Sequence, residues 1–178
     1  MDKDQLKRIL EQHRIWLYDT SNNGQRANLE EANLEGVNLE GVDLSHANFQ
    51  GAFLKGAFLK GANLYDANLY DANLQGADLQ RTILEDAELQ AADLEGANLE
   101  GANLEGANLD GANLEGANLD GANLEGANLY HANLEGAKFS IEFRECSYFE
   151  KVSVSKEQLP WLALHPKFLE FMPTLKIK

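Results

Sequence analysis

The sequence predicts an all-β solenoid, and three observations carry that expectation. Leu or Phe recurs at every fifth position from Leu29 to Phe139, in 23 consecutive pentapeptides. Two residues ahead of each stands a small or β-branched residue, Ala in nearly every unit and Val37, Val42 or Thr82 otherwise. Of the three remaining places, one is Asn or Asp, one is mostly Glu, Asp or Gln, and one is most often Gly. A period of five suits neither regular element. In a helix each step would turn the Leu by about 140°, so no apolar stripe forms, and each Gly would cost about 1 kcal/mol. In a flat strand, leucines five apart would point to alternate faces. They stay on one side only if the chain corners once per pentapeptide, always in the same sense. That winds it into a tube with Leu and Ala inside.

With the core Leu at position i, the Asn or Asp stands at i−1, the acidic or amide residue at i+1 and the Gly at i+2. Gly suits a corner with positive φ, and Asn or Asp steadies a turn by bonding to nearby backbone. Runs of A-[N/D]-L-x-x, such as ANLEGANLEGANLDG in the nearly perfect stretch 95–136, resemble the pentapeptide repeat family. The resemblance covers residues 27–141 and implies a right-handed quadrilateral β-helix with four pentapeptides per coil. No twenty-residue period in the residue types fixes that number. With four per coil and strands about 4.8 Å apart, the rod is about 28 Å long.

Three segments follow. Residues 1–26 read as an N-terminal capping helix and linker. Leu6, Ile9, Leu10, His13, Trp16 and Leu17 make one apolar face over residues 3–18, Asp2 with Gln5 forms a partial capping box, and the run from Thr20 to Gly24 stops the helix. This helix serves as a plug for the first coil's exposed edge, and His13 reads as packing against it. Residues 27–141 are the solenoid. Residues 142–178 read as an irregular last coil, with Phe143, Cys146, Tyr148, Val152 and Val154 inward, followed by a short helical C-terminal cap broken by Pro160, Pro166 and Pro173. Phe149 and Val154 also fit the original phase. The apolar residues from Trp161 to Ile177 must cover the last coil, a second copy of the chain, or both. The resemblance to family members that act on topoisomerases implies a homodimer through this end.

The formal net charge is −14. Residues 27–136 hold 20 acidic and 3 basic residues, so the acidity belongs to the tube. That disfavours direct nucleic-acid binding through a basic patch. A single cysteine, Cys146, allows no internal disulfide. The charged start and the lack of a long apolar run suggest a cytoplasmic protein with no membrane partner. His13, His46, His131 and His165 lie far apart in sequence, and neither metal-ligand spacing nor a nucleophile with its base is found. The reading is of no cofactor, no pocket in the walls and no enzyme.

Two features of the surface stand out. Phe53 and Phe58 replace Asn at i−1, as does Ile83, while Lys55 and Lys60, then Tyr65 and Tyr70, replace acid at i+1. This island is the candidate binding patch, against the bland readings of surface drift or wall packing. Glu95, Glu100, Glu105, Asp110, Glu115, Asp120 and Glu125 form the second feature, an acidic wall. It reads as a solvated rim, as a mimic of duplex DNA, whose charge spacing of about 1.7 Å the rod can match, or as a cation site, for which a flat wall offers poor convergence. The leading functional expectation is a protein-binding or scaffold rod whose partner is unknown. The alternative is a DNA-mimic inhibitor or protector of a type II topoisomerase such as DNA gyrase, as in the fluoroquinolone-resistance members of the family. A mechanical spacer is the third.

Overall fold

A computed structural model describes residues 1–19, 23–139, 152–154 and 176–177. Helix α1 (Lys3–Tyr18) comes first. Asp2 caps it in extended conformation, its carboxylate accepting the Gln5 N–H at 2.7 Å. The helix ends at Asp19, which is extended and donates its N–H to the Ile15 carbonyl.

From Asn28 onward, among the described residues, each i−1 residue pairs in parallel with the residue twenty places on, as in Asn28 with Asn48, Phe53 with Asn73 and Asn113 with Asn133. Twenty residues are four pentapeptides, so every coil has four corners and four walls. The walls begin at Asn28, Asn33, Asn38 and Asp43 and are called one to four in that order. Pairing touches a single residue per wall because a corner follows within five residues. The exceptions among the described residues are β1 (Asn118–Leu119) with β2 (Lys138–Phe139), and β3 (Ser153–Val154) with β4 (Lys176–Ile177), all parallel.

The unit from Ala97 to Gly101 shows how the backbone closes. Ala97 N–H reaches the Leu94 carbonyl across the corner, Asn98 N–H the Ala77 carbonyl one coil back, and Leu99 and Gly101 N–H the Asn118 and Asp120 carbonyls one coil ahead. Only Glu100 N–H finds no carbonyl, and the Asn98 Oδ1 accepts it at 3.3 Å. All five donors are therefore satisfied, as buried backbone requires. The i+2 corner residues take positive φ, from 61° to 71° in the solenoid glycines. Ala91 holds φ 58° without the freedom of Gly.

Leu at i and Ala at i−2 are buried down the tube, and Phe49 takes a Leu place at full burial. Buried Thr82, in an Ala place, gives its hydroxyl to the Leu59 carbonyl at 2.8 Å. Residues 152–154 are in the phase of the tube. Ser153 pairs with Asn133, and Val152 and Val154 are fully buried in the Ala and Leu places. The step from Ser153 to its next partner, Lys176, is 23 residues rather than twenty. The expected helical C-terminal cap, Phe143, Cys146, Tyr148, Phe149 and the prolines lie outside the described residues, as do the segment from Thr20 to Asn22 and most of the surface expected to form a dimer.

α1 lies against the first coil, with Leu6, Ile9 and Leu10 packed on the core. The returning chain passes very close to it, and Gln25 N–H donates to the Gln12 carbonyl at 3.1 Å. A Cβ on Gly24 would stand 2.0 Å from the Trp16 nitrogen and 2.6 Å from the Ile15 carbonyl carbon, both backbone atoms that cannot yield. Gly24→Ala is expected to cost about 1–3 kcal/mol, the usual scale of overpacking. Thermal denaturation followed by Trp16 fluorescence measures it, and an unchanged midpoint would show that the chain does not pass here.

Candidate functional site

The fourfold winding decides which of the surface residues meet. Phe53 and Lys55 stand on wall two, Phe58 and Lys60 on wall three, Tyr65 on wall four and Tyr70 on wall one. The island is thus a belt around the second and third coils and not a patch on one face. All six residues are exposed, Phe53 at 48% and Phe58 at 46%. Ile83 faces outward on wall four, further along.

The acidic row is spread in the same way. Glu95 and Glu115 lie on wall two, Glu100 and Asp120 on wall three, Glu105 and Glu125 on wall four and Asp110 on wall one. The carboxylates belong to four columns, and some are engaged. Asn103 Nδ2 donates to Glu85 at 3.2 Å, Asn123 Nδ2 to Glu105 at 3.3 Å and Asn133 Nδ2 to Glu115 at 3.2 Å, each from the next coil on the same wall. Asn123 and Asn133 also reach the Asn below, at 3.0 Å and 3.1 Å, as Asn118 Nδ2 does to Asn98 Oδ1 at 3.2 Å. This amide ladder escapes a reading by pentapeptides, because its rungs are twenty residues apart. Phe53, Phe58, Ile83 and Glu88 interrupt it, one on each wall, and Lys138 ends it on wall three. Among the described residues no group of three His, Cys, Asp or Glu residues could hold a metal ion, and no helix is long and apolar enough to cross a membrane.

The N-terminal end holds the feature that sequence reasoning missed. Between α1 and the first coil lies a cleft of about 950 Å³, lined by Leu6, Leu10, Val37 and Val42 with Lys3 and Lys7 at its edge. The expectation of no pocket concerned the walls and left this end aside, where one helix is too narrow to cover a four-sided face. Leu6, Leu10, Val37 and Val42 stay only half-buried. Tyr18 hydroxyl donates to the Asp43 carboxylate and ties down the end of α1. Burial pushes the Asp43 carboxyl up, yet the hydrogen bonds from Tyr18 and from the Ser45 N–H and hydroxyl outweigh it and leave the pKa below the ordinary value. The bond to Asp43 is also what raises the Tyr18 pKa.

His13 is fully buried beneath the helix and accepts the Ala27 N–H on Nδ1 at 3.1 Å, holding a donor at the start of the first coil. Its Nε2 has no hydrogen bond of good geometry. Its ring stacks on Trp16 at 5.6 Å, Trp16 meets His46 edge-on at 6.0 Å, and His46 meets Tyr65 at 5.4 Å. His46 also pairs with Asp66 at 2.8 Å. Helix, first coil and second coil are thereby joined by one aromatic file.

The family described as pentapeptide repeats, in 8 copies, matches residues 25–61, 54–86, 62–101, 87–126 and 107–140. Among solved structures, a pentapeptide repeat protein (Rfr23) from the cyanobacterium Cyanothece 51142 is 37% identical over 62% of this chain and 85% of its own, with a TM-score of 0.35. HetL, a pentapeptide repeat protein involved in heterocyst differentiation regulation from Nostoc sp. strain PCC 7120, is 33% identical over 72% of this chain and 74% of its own, with a TM-score of 0.24. QnrB1, a plasmid-mediated fluoroquinolone resistance protein, is 23% identical over 69% of this chain and 67% of its own, with a TM-score of 0.35. No curated protein sequence matches the chain significantly.

Burial is the largest influence on His13 and holds its pKa below the histidine norm. Asp43 acts upward on it, while His46 and Arg26 act downward. The unfolded chain therefore takes up a proton, near pH 6.5, before the folded chain does. The contribution of neutral His13 is whole above about pH 6.5 and is lost as the pH falls through the lower folded value. Asp43 titrates in a separate, more acidic window. His13→Gln, which keeps an acceptor that cannot be protonated, is expected to flatten the melting temperature between about pH 7 and pH 5. An equal acid slope in both proteins would mean that His13 does not titrate in its buried place.

Proposed function

The chain belongs to the pentapeptide repeat family, and on that premise we propose that it is a non-enzymatic rod that binds a protein partner through side chains on its walls. The reading takes the winding as right-handed, the hand that parallel crossovers favour. One observation carries it. On a wall where Asn or Asp at i−1 closes the backbone, Phe53, Phe58 and Ile83 give up that bond and expose an apolar side chain instead. A net intramolecular hydrogen bond contributes about 1 kcal/mol, so these residues stand against the local gain of the repeat. Aromatic side chains with adjoining Lys55 and Lys60 have the composition of a recognition surface.

The second reading is mimicry of DNA toward a type II topoisomerase. Its support is the charge of the tube, 20 acidic against 3 basic residues over 27–136. Against it stands the arrangement in four axial columns surrounding the rod. A homodimer through the C-terminal end and a cytoplasmic setting belong to the same proposal.

Phe53→Asp with Phe58→Asp restores the residue type found at Asp78 and Asp93, where the carboxylate accepts the i+1 N–H. The double variant is expected to melt within about 1 kcal/mol of the parent, since the regained bonds offset the lost apolar cover, and to lose a partner captured by the parent from lysate. Equal capture by both proteins would remove the aromatic belt from the account. A supercoiling assay with purified gyrase separates the second reading: inhibition or drug protection by the parent supports mimicry, and neither effect at micromolar protein rejects it.

A further inference from the structure

We infer that the cleft beside α1 is a docking site for an extended peptide of alternating apolar and acidic residues, which adds a strand to the open edge of the first coil. Three observations meet there. The first is a backbone edge without a partner. In later coils the i−1 N–H donates one coil back, as Asn48 does to Ala27 at 2.9 Å and Phe58 to Val37 at 2.9 Å. The first coil has no coil before it. Among the described residues, the N–H groups of Asn38 and Asp43 and the carbonyls of Asn38 and Glu40 have no hydrogen-bond partner. Such an edge is a template for a strand.

The second is the cleft itself. Gly36, Val37, Asn38, Val42 and Asp43 form its floor, so it runs along this edge. Its volume of about 950 Å³ falls at the upper end of the range in which proteins enclose ligands. Val37 and Val42 stand where most units carry Ala, and with Leu6 and Leu10 of α1 they leave an apolar slot above the end of the core. An added strand turns every second side chain into that slot.

The third is charge. Arg14 at the same cleft is balanced by Glu11 at 2.8 Å, while Asp43 keeps its negative charge under the Tyr18 hydroxyl. Lys3 and Lys7, one helical turn apart, have no carboxylate within ion-pair distance among the described residues. Two free lysines against the single Asp43 carboxylate leave the slot positive on a chain whose tube is acidic, and the lysines at its edge select acidic side chains at the alternate positions. α1 is held at the His13 bond to Ala27 and at the Tyr18 bond to Asp43, so it roofs the slot without filling it. This site stands apart from the aromatic belt, and its fate does not depend on the reading of the walls.

The test uses the full chain and a fluorescein-labelled heptapeptide of alternating glutamate and valine, with a lysine–valine heptapeptide as counterpart. Saturable anisotropy is expected for the acidic peptide, together with slowed amide exchange at Asn38 and Asp43 in the complex. Lys3→Glu with Lys7→Glu changes exposed residues only and is expected to weaken binding about tenfold, the scale of two surface ion pairs. The lysine–valine peptide is expected to bind the parent no better than that variant binds the acidic one. The absence of saturation, binding indifferent to the charge reversal, or unslowed exchange at Asn38 and Asp43 overturns the inference. So does sedimentation showing that the chain pairs with a second copy of itself through this end, with those two amides already slow in the absence of peptide.

Discussion

A chain that corners every five residues leaves one backbone donor in each unit that strand pairing cannot reach. The rest of the structure depends on how that donor is held. The N–H two places after the wall residue is taken by the wall residue's own side-chain oxygen, as in Glu35 with Asn33, Gln80 with Asp78 and Glu135 with Asn133. The same oxygen often also accepts an amide hydrogen from the next coil, as Asn48 does from Asn68 at 3.2 Å. One side-chain type thereby closes the corner and ties the coils together. Leu and Ala supply the apolar drive, but they do not say where the chain bends.

This division of labour explains the surface. The i+1 side chain is free of any task in the backbone, and so it varies among Glu, Asp, Gln, Lys, Tyr and Ser. The acidic majority is partly functional in the wall itself, since Glu85, Glu105 and Glu115 accept ladder amides. Departures at i−1 are of another kind, because they remove both the local bond and a rung. Stability in such stacks is close to a sum of neighbouring interfaces, and the interruptions at Phe53, Phe58, Ile83 and Glu88 fall on four different walls. Wall three is broken again only at Lys138, four coils beyond Phe58, so each of the four inner gaps lies far from any other in its column.

The tube was legible from the period, and so were α1, its Asp2 cap and the packing role of His13, because each rests on local spacing. The number of walls was not, since the four walls use one residue pattern and only backbone pairing tells Asn28 with Asn48 from any other match. The ladder was hidden for the same reason. Asn could be read as a turn former, but its second bond crosses twenty residues. Gly24 looked like a helix stop, whereas its small size is needed by the helix backbone two turns earlier in the chain. The cleft could not be read at all. It exists because a single helix, placed by His13 and Tyr18, covers part of a square end. The surface island was visible as a cluster in sequence, and the winding distributes it around the rod.

Amide hydrogen exchange along the tube tests the central claim most directly. If the side chain at i−1 holds the stray donor, the i+1 amides from Glu30 to Glu135 are slow wherever Asn or Asp precedes the core residue. Lys55, Lys60, Glu85 and Gln90, which follow Phe53, Phe58, Ile83 and Glu88 and have no such acceptor, then exchange fast between protected neighbours. Uniform protection at all i+1 amides, or uniformly fast exchange at them, would contradict the account.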